Sequence, residues 1–478
     1  DKVSTMRISR LLFEIFYVCL ISLVNSLHQN GDIAEVLQSK DILETTFFRF
    51  NFSTSKLLEV DTKYEKLGIE YCGELTNERL QEIFEKASQG QNVTLLVLGG
   101  SSTIGADLGA GSKTQTYHMA FSSWWNENIF PVTGSFLHKK VIAIGGVGSA
   151  YMSYCWKIYL DNKKAFDIVF WEFFMNDFYF DDYSRILDNF FKSILQYSTS
   201  TPAFILVKFS PNTIFQGEQL TCLVTSEFFN AKDKVVRQKS RQYQISVASM
   251  QEIICRNVQQ YNRILLKKDY FVHIHPSHKA HAQIGFTLIN YIRNIFITFL
   301  KSPNRTRQYK HFPSSQSENN AQCFTGLLPF ANALRKTIYD IPLLWSRGYR
   351  RRSKCKWDQS IAERTDIRGG YVAKEAQSEI IFQLPLNIVY KVSNVYLVIS
   401  HQSSPNSFYI DVIVRSIYGD FASSLDCSQL LHPATSVQRI ASNVLGTCNI
   451  EVYDPTGKCL INAIVLEEDD LTSTRNKV

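Results

Sequence analysis

The sequence predicts an α/β domain followed by a β-rich, sandwich-like domain. Short apolar runs at 93–98, 140–144, 168–173 and 203–208 read as buried parallel strands. Stretches of helical character lie between or after them, at 149–160, 183–197, 236–266 and 282–299. Beyond residue 341 the pattern changes, and runs at 380–384, 395–400, 408–413 and 460–466 read as strands separated by polar turns.

These elements divide the chain into five parts. Residues 1–26 read as a signal peptide or anchor, because Arg7 and Arg10 precede a mostly apolar stretch, 11–24, too short for an ordinary membrane span. Val24 and Ser26 are the small residues a signal peptidase favours. Residues 27–90 form a helical prelude whose best amphipathic stretch is 75–87. The α/β domain occupies 91–300, a Pro- and Ser-bearing linker or long loop 301–340, and the β-rich accessory domain 341–478.

With 478 residues, 45% of them hydrophobic and 20% charged, the chain is an ordinary folded protein rather than a disordered one. The net charge of +7 is modest for this length, so no nucleic-acid partner is expected. Its densest basic run, Arg347, Arg350, Arg351, Arg352, Lys354 and Lys356, reads as a solvated segment. Asn51, Asn92 and Asn304 each open an N-x-Ser/Thr acceptor triplet. Together with ten cysteines they fit an exported glycoprotein, secreted or held in the secretory pathway, with membrane association through the N-terminus. A disulfide is expected among Cys427, Cys448 and Cys459.

The chemistry concentrates around one serine. Gly99-Gly100-Ser101-Ser102-Thr103-Ile104-Gly105 follows an apolar strand, a Gly-rich turn spans 145–149, Glu172 to Asn176-Asp177 closes another strand, and His275-Pro276-Ser277 lies far downstream. A serine at a strand end, oxyanion donors and a distant histidine point to acyl-ester chemistry. No phosphate loop or full dinucleotide fingerprint occurs. Four histidines fall between 273 and 281, but without a carboxylate or cysteine partner they do not form a metal set. No cofactor is expected.

These blocks resemble the SGNH (GDSL-type) hydrolase superfamily across roughly 91–300. The resemblance implies a three-layer fold on a parallel sheet, with Ser101 as nucleophile and His275 as base. It implies an oxyanion hole from the Ser101 and Gly148 backbone N–H groups and the Asn176 side chain, with Gly146 as the alternative glycine. Gly100 stands where the family has aspartate in its first block, and Val272 where it has the acid that orients the histidine. Valine can neither orient an imidazole nor stabilise its protonated form. Three alternatives follow: a Ser-His dyad, a displaced carboxylate such as Asp269 or Asp177, or a catalytically impaired fold that binds a ligand. The C-terminal region, 368–397 in particular, resembles the accessory β-domain of some eukaryotic, notably algal, members. By family analogy the substrate is an O-acetyl or other acyl ester of carbohydrate or lipid. A polysaccharide O-acyltransferase would share the first half-reaction.

Overall fold

The computed structural model describes residues 33–37, 68–108, 115–160, 165–177, 183–197, 200–209, 215–216, 219–220, 227–261 and 267–301. After residue 301 it describes 322–325, 341, 343–347, 349–352, 370–373, 375–384, 393–401, 409–416, 419–426, 435–444, 448–456 and 459–468. The expected leader, 1–26, lies outside these residues, as do Asn51, Asn304 and Cys427.

The first unit is built on six strands: β1 Ile69–Tyr71, β2 Val93–Gly99, β3 Leu137–Ala143, β4 Ile168–Glu172, β5 Ala203–Lys208 and β6 Ser246–Ser249. They run in the order β1-β6-β5-β4-β2-β3. All pairs are parallel except β1 with β6. The apolar run of β2 explains its central place. Leu95 and Val97 enter one buried cluster and Leu96 and Leu98 the other, so both faces of the sheet are covered. Helices α1 Glu74–Ser88, α2 Ser101–Ile104, α3 Tyr117–Trp124, α4 Ser149–Cys155, α5 Tyr183–Leu195, α6 Glu227–Tyr243, α7 Met250–Tyr261 and α8 His278–Lys301 accompany these strands. The chain leaves β2 for β3 on one side, then crosses back to β4 on the other. That reversal makes the C-terminal end of β2, where Ser101 stands, the topological switch point of the sheet.

Three expectations change. The helix expected over 236–266 is two helices, α6 and α7, separated by β6. Gln244 takes φ 53° at the break, and the small residues Ser246 to Ser249 are all buried between β5 and β1. Four residues of mixed propensity carry too little periodicity to announce a strand; tertiary pairing makes it one. The end of the prelude is not separate, because β1 is an edge of the main sheet and α1 packs in its core.

The expected linker also contains a strand, β7 through β9 being Phe271–Val272, His275–Pro276 and Gln322–Thr325. β9 belongs to the second unit. That unit continues with β10 Leu343–Arg347, β11 Tyr349–Arg352, β12 Gly370–Ala373, β13 Ser378–Gln383, β14 Ser393–His401, β15 Tyr409–Ser416, β16 Gly419–Asp426, β17 Thr435–Val444, β18 Cys448–Asp454 and β19 Cys459–Glu468. Two antiparallel sheets result, β11-β12-β19-β14-β17 with β9 added to β19, and β10-β13-β18-β15-β16. Alternate residues such as Ile380, Phe382, Ile450 and Val452 from one sheet, and Leu397, Ile399 and Ile461 from the other, share one buried cluster.

The two units are fastened together. Tyr396 and Val398 of β14 and Ala463 and Val465 of β19 join the cluster formed by α4 and α5. Tyr154 lies 5.0 Å from Tyr396, centroid to centroid, and Tyr151 donates to Thr325 Oγ1 at 2.8 Å. A disulfide joins Cys155 on α4 to Cys323 on β9, across 168 residues. This differs from the pairing expected near the C-terminus: Cys448 and Cys459 lie on opposite sheets and are not joined. Replacing Cys155 and Cys323 together by serine should lower stability by about 2–5 kcal/mol, because the loop it closes is long. Thermal unfolding of the double variant checks this; an unchanged Tm would mean the packed interface alone holds the units.

Candidate active site

The sharp exit from β2 places the serine. Gly100 continues the strand with φ −96° and ψ −150°, Ser101 starts the single turn of α2, and Gly105 ends it at φ 80°. The Gly100 N–H donates to the Glu172 carbonyl at 3.1 Å, pinning the turn to the end of β4. A Cβ on Gly100 would lie 2.1 Å from Asn176 Nδ2. The Asn176 amide therefore fills the space that a side chain at position 100 would need.

Ser101 and His275 are brought together, with Oγ 2.9 Å from the imidazole Nε2. His275 is held on a small hairpin, β7 with β8, in which it pairs with Val272. Val272 is exposed and has no polar atom to offer. The carboxylate at the other ring nitrogen is Asp107, whose Oδ2 is 2.7 Å from Nδ1. Asp177 does not take this place. Asp177 is turned the other way, accepting from Ser149 N at 2.6 Å, Ser149 Oγ at 2.5 Å and Tyr183 OH at 3.0 Å. The side chain of Asp269, on the short helix Lys267–Tyr270, lies outside the described residues.

Asp107 sits in the turn that follows α2, at φ 64°, a conformation that short polar side chains such as aspartate tolerate better than most. The turn is braced from α8, since His278 hydrogen-bonds the Leu108 backbone. His273 is mostly exposed, with Nδ1 3.6 Å from the Asp107 carboxylate. His281 is fully buried; desolvation pushes it down to about 3, and its neutral Nδ1 accepts from the Tyr117 N–H at 3.4 Å. Among the described residues no group of three or more His, Cys, Asp or Glu is arranged to hold a metal ion.

Ser101 is flanked by the 144–149 turn and the end of β4. A Cβ on Gly145 would come 3.9 Å from Ser101 Cβ, so this turn flanks the serine. Asn176 Nδ2 donates to the Val147 carbonyl at 2.8 Å, which ties the amide to the turn and leaves its second N–H beside Gly100. Gly148 caps α4, and a Cβ there would meet Asp177 Oδ1 at 2.6 Å. Gly146, at φ 68°, offers its carbonyl to Thr435 of β17, which donates from both N (2.8 Å) and Oγ1 (3.0 Å). The accessory unit thus touches the same turn.

Beneath Ser101 lies a buried carboxyl. Glu172 Oε2 accepts from Thr103 Oγ1 at 3.0 Å, and Thr103 Oγ1 is 3.1 Å from Tyr117 OH. Desolvation, with the nearby Asp177 charge, pushes Glu172 up to about 8. Between its unfolded value near 4.5 and about 8 the folded protein holds a proton that the unfolded chain has released. Stability should therefore fall as pH rises through that window. In Glu172→Gln that fall should be absent, so the wild type loses Tm relative to the variant from pH 5 to 8. Parallel Tm profiles would mean that Glu172 ionises normally.

The chain is similar in fold to a crystal structure of a two-domain esterase active on acetylated mannans. The TM-score is 0.60 with 15% identity, over 85% of this chain and 99% of that one. The same type of esterase co-crystallised with mannopentaose gives a TM-score of 0.59 at 15% identity, with the same coverage. A putative GDSL-like lipase from Parabacteroides merdae gives 0.32 at 14% identity, covering 43% of this chain and 97% of that one. No family model and no curated protein matches the sequence.

Proposed function

We propose that this protein is a serine ester hydrolase that removes O-acyl groups, acetyl first among them, from a carbohydrate chain. The observation that carries the reading is the unbroken line Asp107–His275–Ser101, at 2.7 and 2.9 Å. Such a line is what acyl transfer through serine needs. The carbohydrate part is supported by the two-domain esterase active on acetylated mannans, whose fold this chain resembles along nearly all of that protein's length. The fold is read as an SGNH-type three-layer domain with a β-sandwich accessory domain.

In this mechanism His275 Nε2 takes the Ser101 proton as Oγ adds to the ester carbonyl. Asp107 fixes the ring and balances the imidazolium. The new oxyanion receives N–H groups from Ser101, Gly148 and Asn176, which act on charge that develops only during reaction. The imidazolium returns its proton to the departing sugar hydroxyl, leaving acyl-Ser101. Water then adds to the acyl carbon, giving one proton to His275, and as the intermediate collapses His275 passes that proton to the departing Ser101 Oγ, releasing the carboxylic acid and restoring the serine hydroxyl. An impaired fold was an alternative because Val272 cannot orient His275; Asp107 supplies that function and favours the enzyme. Secretion is proposed on the leader-like N-terminus, and the disulfides at Cys155–Cys323 and Cys255 accord with it.

Acetate release from acetylated mannan and from an acetylated monosaccharide tests the reading. Wild type should release acetate and Ser101→Ala should not. Release that persists in Ser101→Ala, or no release from any acyl sugar by folded protein, would overturn it.

A further inference from the structure

At the pole of the sheet opposite Ser101, two aromatic side chains stand in solvent: Phe130 is 41% and Phe136 38% exposed. Their rings meet edge-on at 5.7 Å, and Phe136 also contacts His138 at 5.0 Å. Asn92, just before β2, lies beside Phe136, just before β3. Its Oδ1 accepts from the Phe136 N–H at 3.0 Å, while the Phe136 carbonyl accepts from Val93 N at 3.0 Å. The parallel register of β2 and β3 continues this alignment, pairing Val93 with Leu137 and Thr94 with His138. Alternation along the strands therefore puts Asn92, Thr94, Phe136 and His138 on one face, with Val93 and Leu137 buried on the other. Asn92 is itself exposed and opens the triplet Asn92-Val93-Thr94.

We propose that Asn92 carries an N-linked glycan whose first N-acetylglucosamine packs on the Phe130–Phe136 pair. A sugar ring offers a face of C–H groups to an aromatic ring, which withdraws apolar area from water while leaving the hydroxyls solvated. The hydrogen bond to Phe136 uses Oδ1 and leaves Nδ2 as the atom to be modified. In the transfer, Nδ2 forms a bond to the anomeric carbon of a lipid-diphosphate-linked oligosaccharide. The lipid diphosphate leaves with the C–O electron pair, and one amide proton is released. Thr94 Oγ1 is already bonded to Asp167 Oδ2 at 2.9 Å in the folded chain, so the transfer occurs before β2 is laid into the sheet. Seven residues of β2 separate this glycan from the catalytic end, about 20 Å, so it does not obstruct substrate.

The test uses the full chain secreted from a eukaryotic cell. Glycans are removed enzymatically in heavy-oxygen water and the Asn92 peptide is mapped by mass spectrometry. Asn92 recovered as heavy-oxygen aspartate is expected; recovery as unmodified asparagine overturns the proposal. In a second arm, with Asn51 and Asn304 replaced by Gln throughout, protein trimmed to a single N-acetylglucosamine is compared with the same chain made with glycosylation blocked, which keeps the Asn92 amide and its bond from the Phe136 N–H. The trimmed protein should melt higher by about 2 °C, and that difference should vanish when Phe130 and Phe136 are both serine. A difference that survives in the serine background, or none in the native one, overturns the packing.

Discussion

Asp107→Asn should lower kcat by about 10³–10⁴-fold while leaving KM nearly unchanged. Asparagine keeps the size of the side chain, so the turn after α2 survives. It cannot, however, balance an imidazolium, and its amide group can present N–H to His275 Nδ1, forcing the tautomer in which Nε2 no longer accepts the Ser101 proton. The loss should therefore appear in the acylation step, as slower covalent labelling of Ser101 as well as slower turnover. Asp269→Asn serves as the contrast and should leave kcat as it is, because His275 Nδ1 is already occupied at 2.7 Å. Steady-state kinetics on an acyl sugar reads both. A fall in Asp269→Asn equal to that in Asp107→Asn would reassign the acid.

Gly100→Ala is expected to cost about 10²–10³-fold in kcat. The added methyl would stand 2.1 Å from Asn176 Nδ2, a separation no real contact tolerates, so the amide must swing away. That breaks its bond to the Val147 carbonyl, 2.8 Å long in the native turn, and removes it from the oxyanion side. Asn176→Ala removes the same donor by another route and should cost a similar factor. Because both substitutions act on one amide, the double variant should be little worse than either alone, a non-additivity of the kind that contacting residues show. Losses that multiply in the double variant would mean that Gly100 acts on catalysis independently of Asn176. The same contact leaves no room for a side chain at position 100.

Much of this was legible in the residues. The apolar runs of β2, β4 and β5 are continuous and bounded, so their strands could be placed almost to the residue. Ser101 and His275 stood out because each lies in a short block whose neighbours are constrained. Asn176 stood out for the same reason, and the structure sets it against Gly100 and Val147. β6 was hidden because four small buried residues between two helices have no periodicity of their own. β9 was hidden in a stretch that reads as loop until Cys155 and β19 are in place to receive it.

Asp107 was missed for a different reason. The resemblance directs attention to the position three residues before His275, where Val272 stands, and no local pattern links a carboxylate just after the serine to a histidine far downstream. The available signal was its setting: the only carboxylate in the Gly-rich segment 99–111, six residues after Ser101. Only the folded turn, with its backbone at φ 64° and braced by His278 on α8, shows where that carboxylate points.

The central claim is that Ser101 is an activated nucleophile. It is tested most directly by incubating the folded protein with a serine-reactive fluorophosphonate and mapping the adduct by peptide mass spectrometry. The account predicts one adduct, on Ser101, absent in Ser101→Ala and formed far more slowly in Asp107→Asn. An unlabelled Ser101 in well-folded protein, or labelling at the same rate without the Asp107 carboxylate, would contradict it.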